Sequence, residues 1–177
     1  MKTHLELRTE RLLLRPIKAS DAAEIFTYRS DAETNKYQGW IPETIEDVGS
    51  FVAKVSTEIN ISDTWFQFVI IDIKTSTIIG DVGIHFIDAA QAEIGCTLAK
   101  NQHGKGYASE ALKAVIDYLF HTLNKHRIIA SIDPLNMSSI SLVERLNFRK
   151  EAHFKESLFI NGEWVDDIVY AILKKEW

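Results

Sequence analysis

The chain has 177 residues, 46% hydrophobic and 25% charged, an ordinary globular balance that suits one compact domain with a sizeable core. Its net charge of −5, with His neutral, argues against a nucleic-acid partner and is compatible with an amine or other cationic substrate. No apolar run approaches the roughly 18 residues that span a bilayer, and residues 1–6 lack the apolar core of a secretory signal. The single cysteine, Cys96, cannot form an internal disulfide, so a reducing cytoplasm is the expected compartment. No repeat, low-complexity tract or Gly/Ser/Pro-rich linker divides residues 1–177, which read as a single domain.

Residues 12–15 form a short apolar strand ended by Pro16. Asp21 with Glu24 reads as a capping box that opens a first helix toward Arg29. Residues 30–43, with Gly39 and Pro42, are irregular. Thr44 with Asp47 opens a second helix, in which Val48, Phe51, Val52, Val55 and Ile59 keep helical spacing. Residues 65–72 and 78–87 are β-rich runs around the turn Lys74-Thr75-Ser76, and residues 91–98 form a third strand. The clearest helix covers 107–124, where Ala108, Ala111, Leu112, Val115, Ile116, Leu119 and Phe120 form one apolar stripe. Residues 127–132 are a strand, and 136–146 a short helix with Ser138 or Ser139 near its N-cap. Strands at 148–154 and 163–173 close the chain around a turn at Asn161-Gly162. The order predicts an α/β (α+β) layer, with about four helices packed on a mixed, mostly antiparallel sheet of about seven strands.

The chemistry-bearing stretch is the strand 91–98, the glycine loop after it and the helix from 107. Gly104 and Gly106 lack Cβ atoms, so backbone there can approach a ligand closely. N–H groups at a helix N-terminus then bind phosphate without basic side chains. A plain turn is the competing reading, since Gly-x-Gly alone is a weak signal. A Rossmann site wants a third glycine, where Ser109 stands, and a P-loop sequence is absent.

The chain resembles the GCN5-related N-acetyltransferases (GNAT), within them the RimJ/RimL-like ribosomal-protein branch. The resemblance runs nearly end to end: Arg11-Leu12-Leu13-Leu14-Arg15-Pro16, Ile79-Gly80-Asp81-Val82-Gly83, Glu93-Ile94-Gly95, Gly104-Lys105-Gly106-Tyr107-Ala108, Asn136-Met137-Ser138-Ser139, and Leu146-Asn147-Phe148. It implies the acyl-CoA N-acyltransferase fold and acetyl-CoA as donor, with no metal. The family's pyrophosphate signature is met by Gly104 and Gly106, while Asn101 departs from its Gln/Arg position. By the same resemblance His103, Lys105, Tyr107 and Ala108 join the cofactor loop. Cys96, Thr97 and Leu98 offer backbone to the pantetheine arm, Asn136 bonds that arm, and Ser139 sits near the CoA sulfur.

Two catalytic candidates follow. Ser139 can protonate the leaving thiolate or serve only as a helix cap. Glu93 can draw a proton from the amine through a water or be a solvated strand glutamate. Glu156 and His85 are weaker base candidates, and the family's glutamate two positions beyond Glu156 is Leu158 here. Cys96 reads as a small buried residue rather than a nucleophile, and the six histidines have no metal-ligand spacing. Trp40 and Trp65 are candidates to line the acceptor cleft.

The expected acceptor is a protein N-terminus. Around pH 7.4 an α-amine is about 20% neutral and a lysine only about 0.1%. A site without an obvious strong base suits the α-amine. A small amine (polyamine, amino acid or antibiotic) is the runner-up, with a non-catalytic acyl-CoA sensor or a cofactor-free peptide-binding module as other classes. The protein is expected as a monomer or homodimer, without nucleic-acid or membrane partners.

Overall fold

The computed structural model describes residues 5–177. Its single sheet has eight strands: β1 (Leu7–Arg8), β2 (Leu12–Pro16), β3 (Thr64–Asp72), β4 (Thr77–Phe86), β5 (Gln91–Leu98), β6 (Arg127–Ile132), β7 (Arg149–Ile160) and β8 (Glu163–Leu173). They lie in the order β1-β2-β3-β4-β5-β6-β8-β7. Every neighbouring pair is antiparallel except β5 with β6. The four helices are α1 (Ala22–Arg29), α2 (Ile45–Lys54), α3 (Tyr107–Asp117) and α4 (Met137–Arg145).

Strand alternation sorts the core into two layers. Phe66, Phe68 and Ile70 of β3 point into the cluster that holds Leu112, Val115 and Ile116 of α3 and Ile140 and Val143 of α4. Val69 and Ile71 point to the opposite face, where Ile25, Tyr28 and Val48 of α1 and α2 pack. A polar tie joins α1 to the sheet. The Asp81 carboxylate, 2% exposed, accepts from Tyr28 Oη at 2.7 Å, Arg29 Nε at 3.0 Å and Gln67 Nε2 at 2.6 Å, and from Arg29 Nη2.

Several boundaries differ from those read in the sequence. Two-residue β1 adds a strand. Asp21 does not cap α1: its carboxylate takes both arms of Arg15 and the Lys18 N–H, and Glu24 accepts from Ile78 N. The Thr44–Asp47 box does form, but α2 stops at Lys54, so Val55 and Ile59 lie beyond it. After Asp117, α3 loosens into a π turn over Tyr118–Thr122, with Leu123 N–H reaching Tyr118 O at 3.0 Å. The N-cap of α4 is Asn136, whose Oδ1 accepts from Ser139 N at 3.2 Å, rather than Ser138 or Ser139.

Strand β7 runs to Ile160, through a bulge between Phe154 and Leu158. Asp166 organises that bulge, accepting from Glu156 N, Lys155 Nζ and His153 Nε2 at 2.7–2.9 Å, while Glu156 sits at φ 44°. Asn161 and Gly162 turn the hairpin with φ of 52° and 86°, the left-handed pair that a two-residue loop requires.

The junction of β5 and β6 positions the site. Their parallel pairing covers only Gln91↔Arg127, Ala92↔Ile128 and Glu93↔Ile129. Lys125, 1% exposed, pins this closed end by donating to Asp88 O and Ala89 O at 2.8 and 3.0 Å. Beyond Glu93, β5 follows β4 to Leu98↔Gly80 and β6 follows β8 to Ile132↔Ile168, so the two strands part. Gly80 lets β5 lean onto β4: a Cβ there would lie 2.3 Å from Thr97 O and 2.6 Å from Leu98 Cδ2.

Gly80→Ala should therefore destabilise the protein by at least about 2 kcal/mol, because the clash is with backbone and cannot relax by a rotamer change. Gly49→Ala, inside α2 with nothing within 4 Å, should be neutral or stabilising by up to about 1 kcal/mol. Urea unfolding of both variants checks the pair, and equal midpoints would refute the close approach.

Candidate active site

A cavity of about 430 Å³ passes through the gap between β5 and β6. On the α3/α4 side it is lined by Leu112, Asn136, Ser139 and Val143; on the α1/α2 side by Arg29, Gln38, Trp40 and Trp65. Gly83 and Gly95 pair in register across β4 and β5, giving the cavity a stretch of floor without side chains. A more open groove of about 750 Å³ follows the outer face of α3 past Ser109, Lys113 and His121 to Arg145, but it reaches neither the parted strands nor Glu93.

From Ile94 to Leu98, β5 has no strand partner on its β6 side. The glycine loop follows directly, through a 3-10 turn at Lys100–Gln102. Gly104 and Gly106 adopt φ of 73° and 81°, which side-chain-bearing residues rarely take. Gly106 is the N-cap of α3 and supplies no side-chain cap, so the first-turn N–H groups stay available to an anion. Nothing lies within 4 Å of where a Gly104 Cβ would be. A free strand edge leading into a glycine cradle at a helix N-terminus fits a pantetheine arm ending in a pyrophosphate.

The side chains of the loop face elsewhere. His103 Nε2 lies 2.9 Å from Leu98 O, fastening the loop to the end of β5 and occupying that carbonyl. Lys105 Nζ donates to Gln102 Oε1 at 3.0 Å. The Tyr107 hydroxyl lies 3.4 Å from Asp72 Oδ2, and Ala108 packs on the core. What these residues can offer a ligand is mainly backbone.

Across the gap, capping by Asn136 leaves the Ser139 hydroxyl free and half-buried against the cavity. Cys96 lines the same cavity, and burial, reinforced by Asp81, pushes its thiol up to about 12. It is therefore not a thiolate at neutral pH.

On the α1/α2 face, Trp65, His85 and Glu93 stand in one cross-strand row. Trp65 and His85 stack with centroids 5.0 Å apart, and His85 Nδ1 is 3.8 Å from Glu93 Oε2. Burial raises the Glu93 pKa, the charge of Asp167 adds to the rise, and His85 opposes it. Glu156 is exposed in the β7 bulge and lies outside this cavity. Trp40 stacks on Phe51 at 4.9 Å, and both line the cavity with Trp65.

Sequence reasoning passed over Arg29. It is 9% exposed, donates Nε and Nη2 to Asp81, and lines the cavity, with no partner for Nη1 among the described residues. The available signal was Asp81, a lone charge inside the apolar run 78–87, which demands a buried cation. Among the described residues no group of three or more His, Cys, Asp or Glu gathers as a metal site.

Comparison with known proteins agrees with this geometry. Residues 11–149 match the family model described as an acetyltransferase (GNAT) domain. An N-acetyltransferase called p20 from Bacillus licheniformis is 36% identical over 97% of each chain. The crystal structure of a GNAT-family acetyltransferase from Bacillus anthracis superposes with a TM-score of 0.86, at 32% identity over 97% of this chain and 100% of that one. Two relatives carry named acceptors: the ribosomal protein uS5 alanine N-acetyltransferase of Escherichia coli, 28% identical over 98% of this chain and 93% of its own, and a spermidine N(1)-acetyltransferase of Vibrio cholerae, 27% over 94% and 95%. The chain belongs to the GNAT acetyltransferases. It is an N-acetyltransferase with acetyl-CoA as its donor.

Gly106→Val should abolish acetyl-CoA binding while the protein stays folded, since Val resists the positive φ of 81° on which the shape of the loop depends. Loss of the thermal shift that acetyl-CoA gives the wild type is the readout; an undiminished shift would remove the loop from the donor site. Ser139→Ala should lower kcat more than it raises the KM for acetyl-CoA. An unchanged kcat, with chemistry shown to be rate-limiting, would reduce Ser139 to a lining residue.

Proposed function

We propose that the protein acetylates the α-amine of a protein N-terminus, of the ribosomal-protein type. The observation that carries this reading is the pairing of opposite charges in one cavity. Glu93, half-buried, and Arg29, with no partner for Nη1 among the described residues, both line it. An N-terminal residue has an amine for the first and a peptide carbonyl for the second. A polyamine has nothing for a guanidinium to donate to. The uS5 acetyltransferase relative supports the same choice.

Acetyl-CoA supplies the activated acetyl group. The backbone of β5 and the loop around Gly104 and Gly106 hold its two ends, and Asn136 Nδ2 donates to the pantetheine. Glu93 removes the ammonium proton through a water. The neutral nitrogen forms the new N–C bond as the C–S bond breaks, and a backbone N–H near Cys96 or Thr97 meets the negative charge that develops on the carbonyl oxygen. The Ser139 hydroxyl hands a proton to the departing sulfur and is replenished, through water, by the second proton that leaves the acetylated nitrogen. A small cationic amine is the second reading, favoured by the Trp65–His85 stack beside Glu93 and Asp63 and by the spermidine-acetylating relative.

A base must be deprotonated to act, so the rate falls as pH drops through the Glu93 pKa. Because burial raises that pKa, kcat/KM should show, besides the ionisation of the amine itself, an acid-side inflection above the ordinary glutamate range of about 4.3, and Glu93→Gln should lose that inflection. Persistence of that separate inflection in Glu93→Gln would remove Glu93 from the base role. In a peptide with one free N-terminus and one lysine, the α-amine should be acetylated faster. The ratio of neutral fractions gives about 200-fold for otherwise equivalent amines, and an effective base narrows it. Tandem mass spectrometry locates the acetyl group: predominant ε-acetylation overturns the α-amine reading, and activity on polyamines alone moves the function to the second.

A further inference from the structure

Behind the glycine loop, on the side away from the β5–β6 gap, lies a fork of contacts centred on Arg11, in the turn between β1 and β2. Arg11 Nε donates to Glu110 Oε2 at 2.7 Å and Nη2 reaches the same oxygen at 2.6 Å. The Arg11 backbone N–H adds a bond to Glu110 Oε1 at 3.0 Å, and Thr9 Oγ1 another at 2.5 Å. The remaining arm, Nη1, donates to the carbonyl oxygen of Lys105 at 3.0 Å. The guanidinium lies 4.5 Å over the Tyr107 ring, and a Cβ on Gly106 would stand 3.4 Å from Nη2. One side chain thus touches the two central loop residues and the first turn of α3.

We propose that Arg11 is a positioning residue for the donor's pyrophosphate, acting through the Lys105–Gly106 peptide; this rests on the reading of residues 101–108 as the pyrophosphate loop. Every peptide bond among the described residues is trans, so the C=O of Lys105 and the N–H of Gly106 point in opposite directions. Drawing that carbonyl back onto Arg11 turns the Gly106 N–H forward, into the concave side of the loop. Without the fork the peptide is free to flip, and a carbonyl oxygen facing the phosphates repels where the N–H attracts. The second effect is electrostatic. Glu110 stands in the first turn of α3, where a carboxylate suits the helix dipole but opposes a dianionic ligand beside it. Arg11 occupies both its oxygens and offsets its charge. Lys105 cannot replace Arg11, because its ammonium is directed to Gln102. An ammonium at position 11 also lacks the planar fork that spans a carboxylate and a carbonyl together.

The test is Arg11→Ala with full kinetics in both substrates. The KM and the calorimetric Kd for acetyl-CoA should rise about tenfold or more, the usual effect of losing a charge-assisted hydrogen bond. The kcat at saturating donor and the KM for the acceptor should stay within about twofold of wild type. A fall in kcat with donor affinity intact, or parallel losses for both substrates, overturns the proposal, since a general loss of structure acts that way. Arg11→Lys, which keeps a cation against Glu110 without the fork, should show a smaller rise in donor KM. It carries the same decision if Arg11→Ala does not fold. Gly106→Val separates the two levels: if it leaves CoA binding intact the loop reading fails, and if it abolishes binding while Arg11→Ala does not weaken it, only the role of Arg11 fails.

Discussion

The site exists because two parallel strands are pinned together at one end and pulled apart at the other. Strand pairing satisfies backbone N–H and C=O groups, and a strand that leaves its neighbour needs another partner for them. Lys125 and three residue pairs fix the closed end of β5 and β6. Farther along, β4 holds β5 and β8 holds β6 more extensively than the two hold each other. The side of β5 turned to the gap is thus left without a strand partner from Ile94 to Leu98. The same parting opens a passage between the layers, so that donor and acceptor need not enter from one side of the sheet.

Charge in the passage is arranged with little expenditure of formal charge. The glycine loop that follows β5 offers helix N–H groups and a dipole. On the α1/α2 side Arg29 is held by Asp81, itself buried among four donors, so the guanidinium keeps its orientation in a low-dielectric setting. Glu93 has no comparable anchor, because His85 stands beyond hydrogen-bond reach at 3.8 Å. Its carboxylate is thus neither tightly paired nor fully hydrated, and burial raises its pKa. Asn136 serves both fold and site: its Oδ1 ends the backbone of α4, which releases Ser139 from capping.

Elements set by local chemistry were legible in the sequence. The Thr44–Asp47 box, the Asn161-Gly162 turn and the apolar stripe of α3 are each decided by residues within a few positions of one another. The family resemblance extended this to the sheet, whose eight strands were expected within one. Legibility failed where distant residues compete for a side chain. Asp21 reads as a cap only until Arg15 claims its carboxylate, and Glu24 is taken by Ile78 on another strand. Asp81 signals that some cation is buried against it but not that the cation is Arg29, whose burial is decided by Asp81, Tyr28 and Gln67 together. The parting of β5 from β6 has no local code, since it depends on how four strands share their edges.

The bulge in β7 has a consequence for the molecule's behaviour in a crowded solution. Strand β7 ends the sheet, is exposed on nearly every residue, and its hairpin displays Phe154, Leu158, Phe159 and Trp164. An uninterrupted apolar edge of that length is a template on which other chains can stack into fibrils. Glu156, bent to a positive φ and held by Asp166, cuts the edge into two short runs with a kink between them, and Lys155 beside it adds a charge. Arg149, Glu176 and Glu151 hold the near end of the same strand in a web of ion pairs. The carboxylate of Asp166 thereby guards the protein against copies of itself.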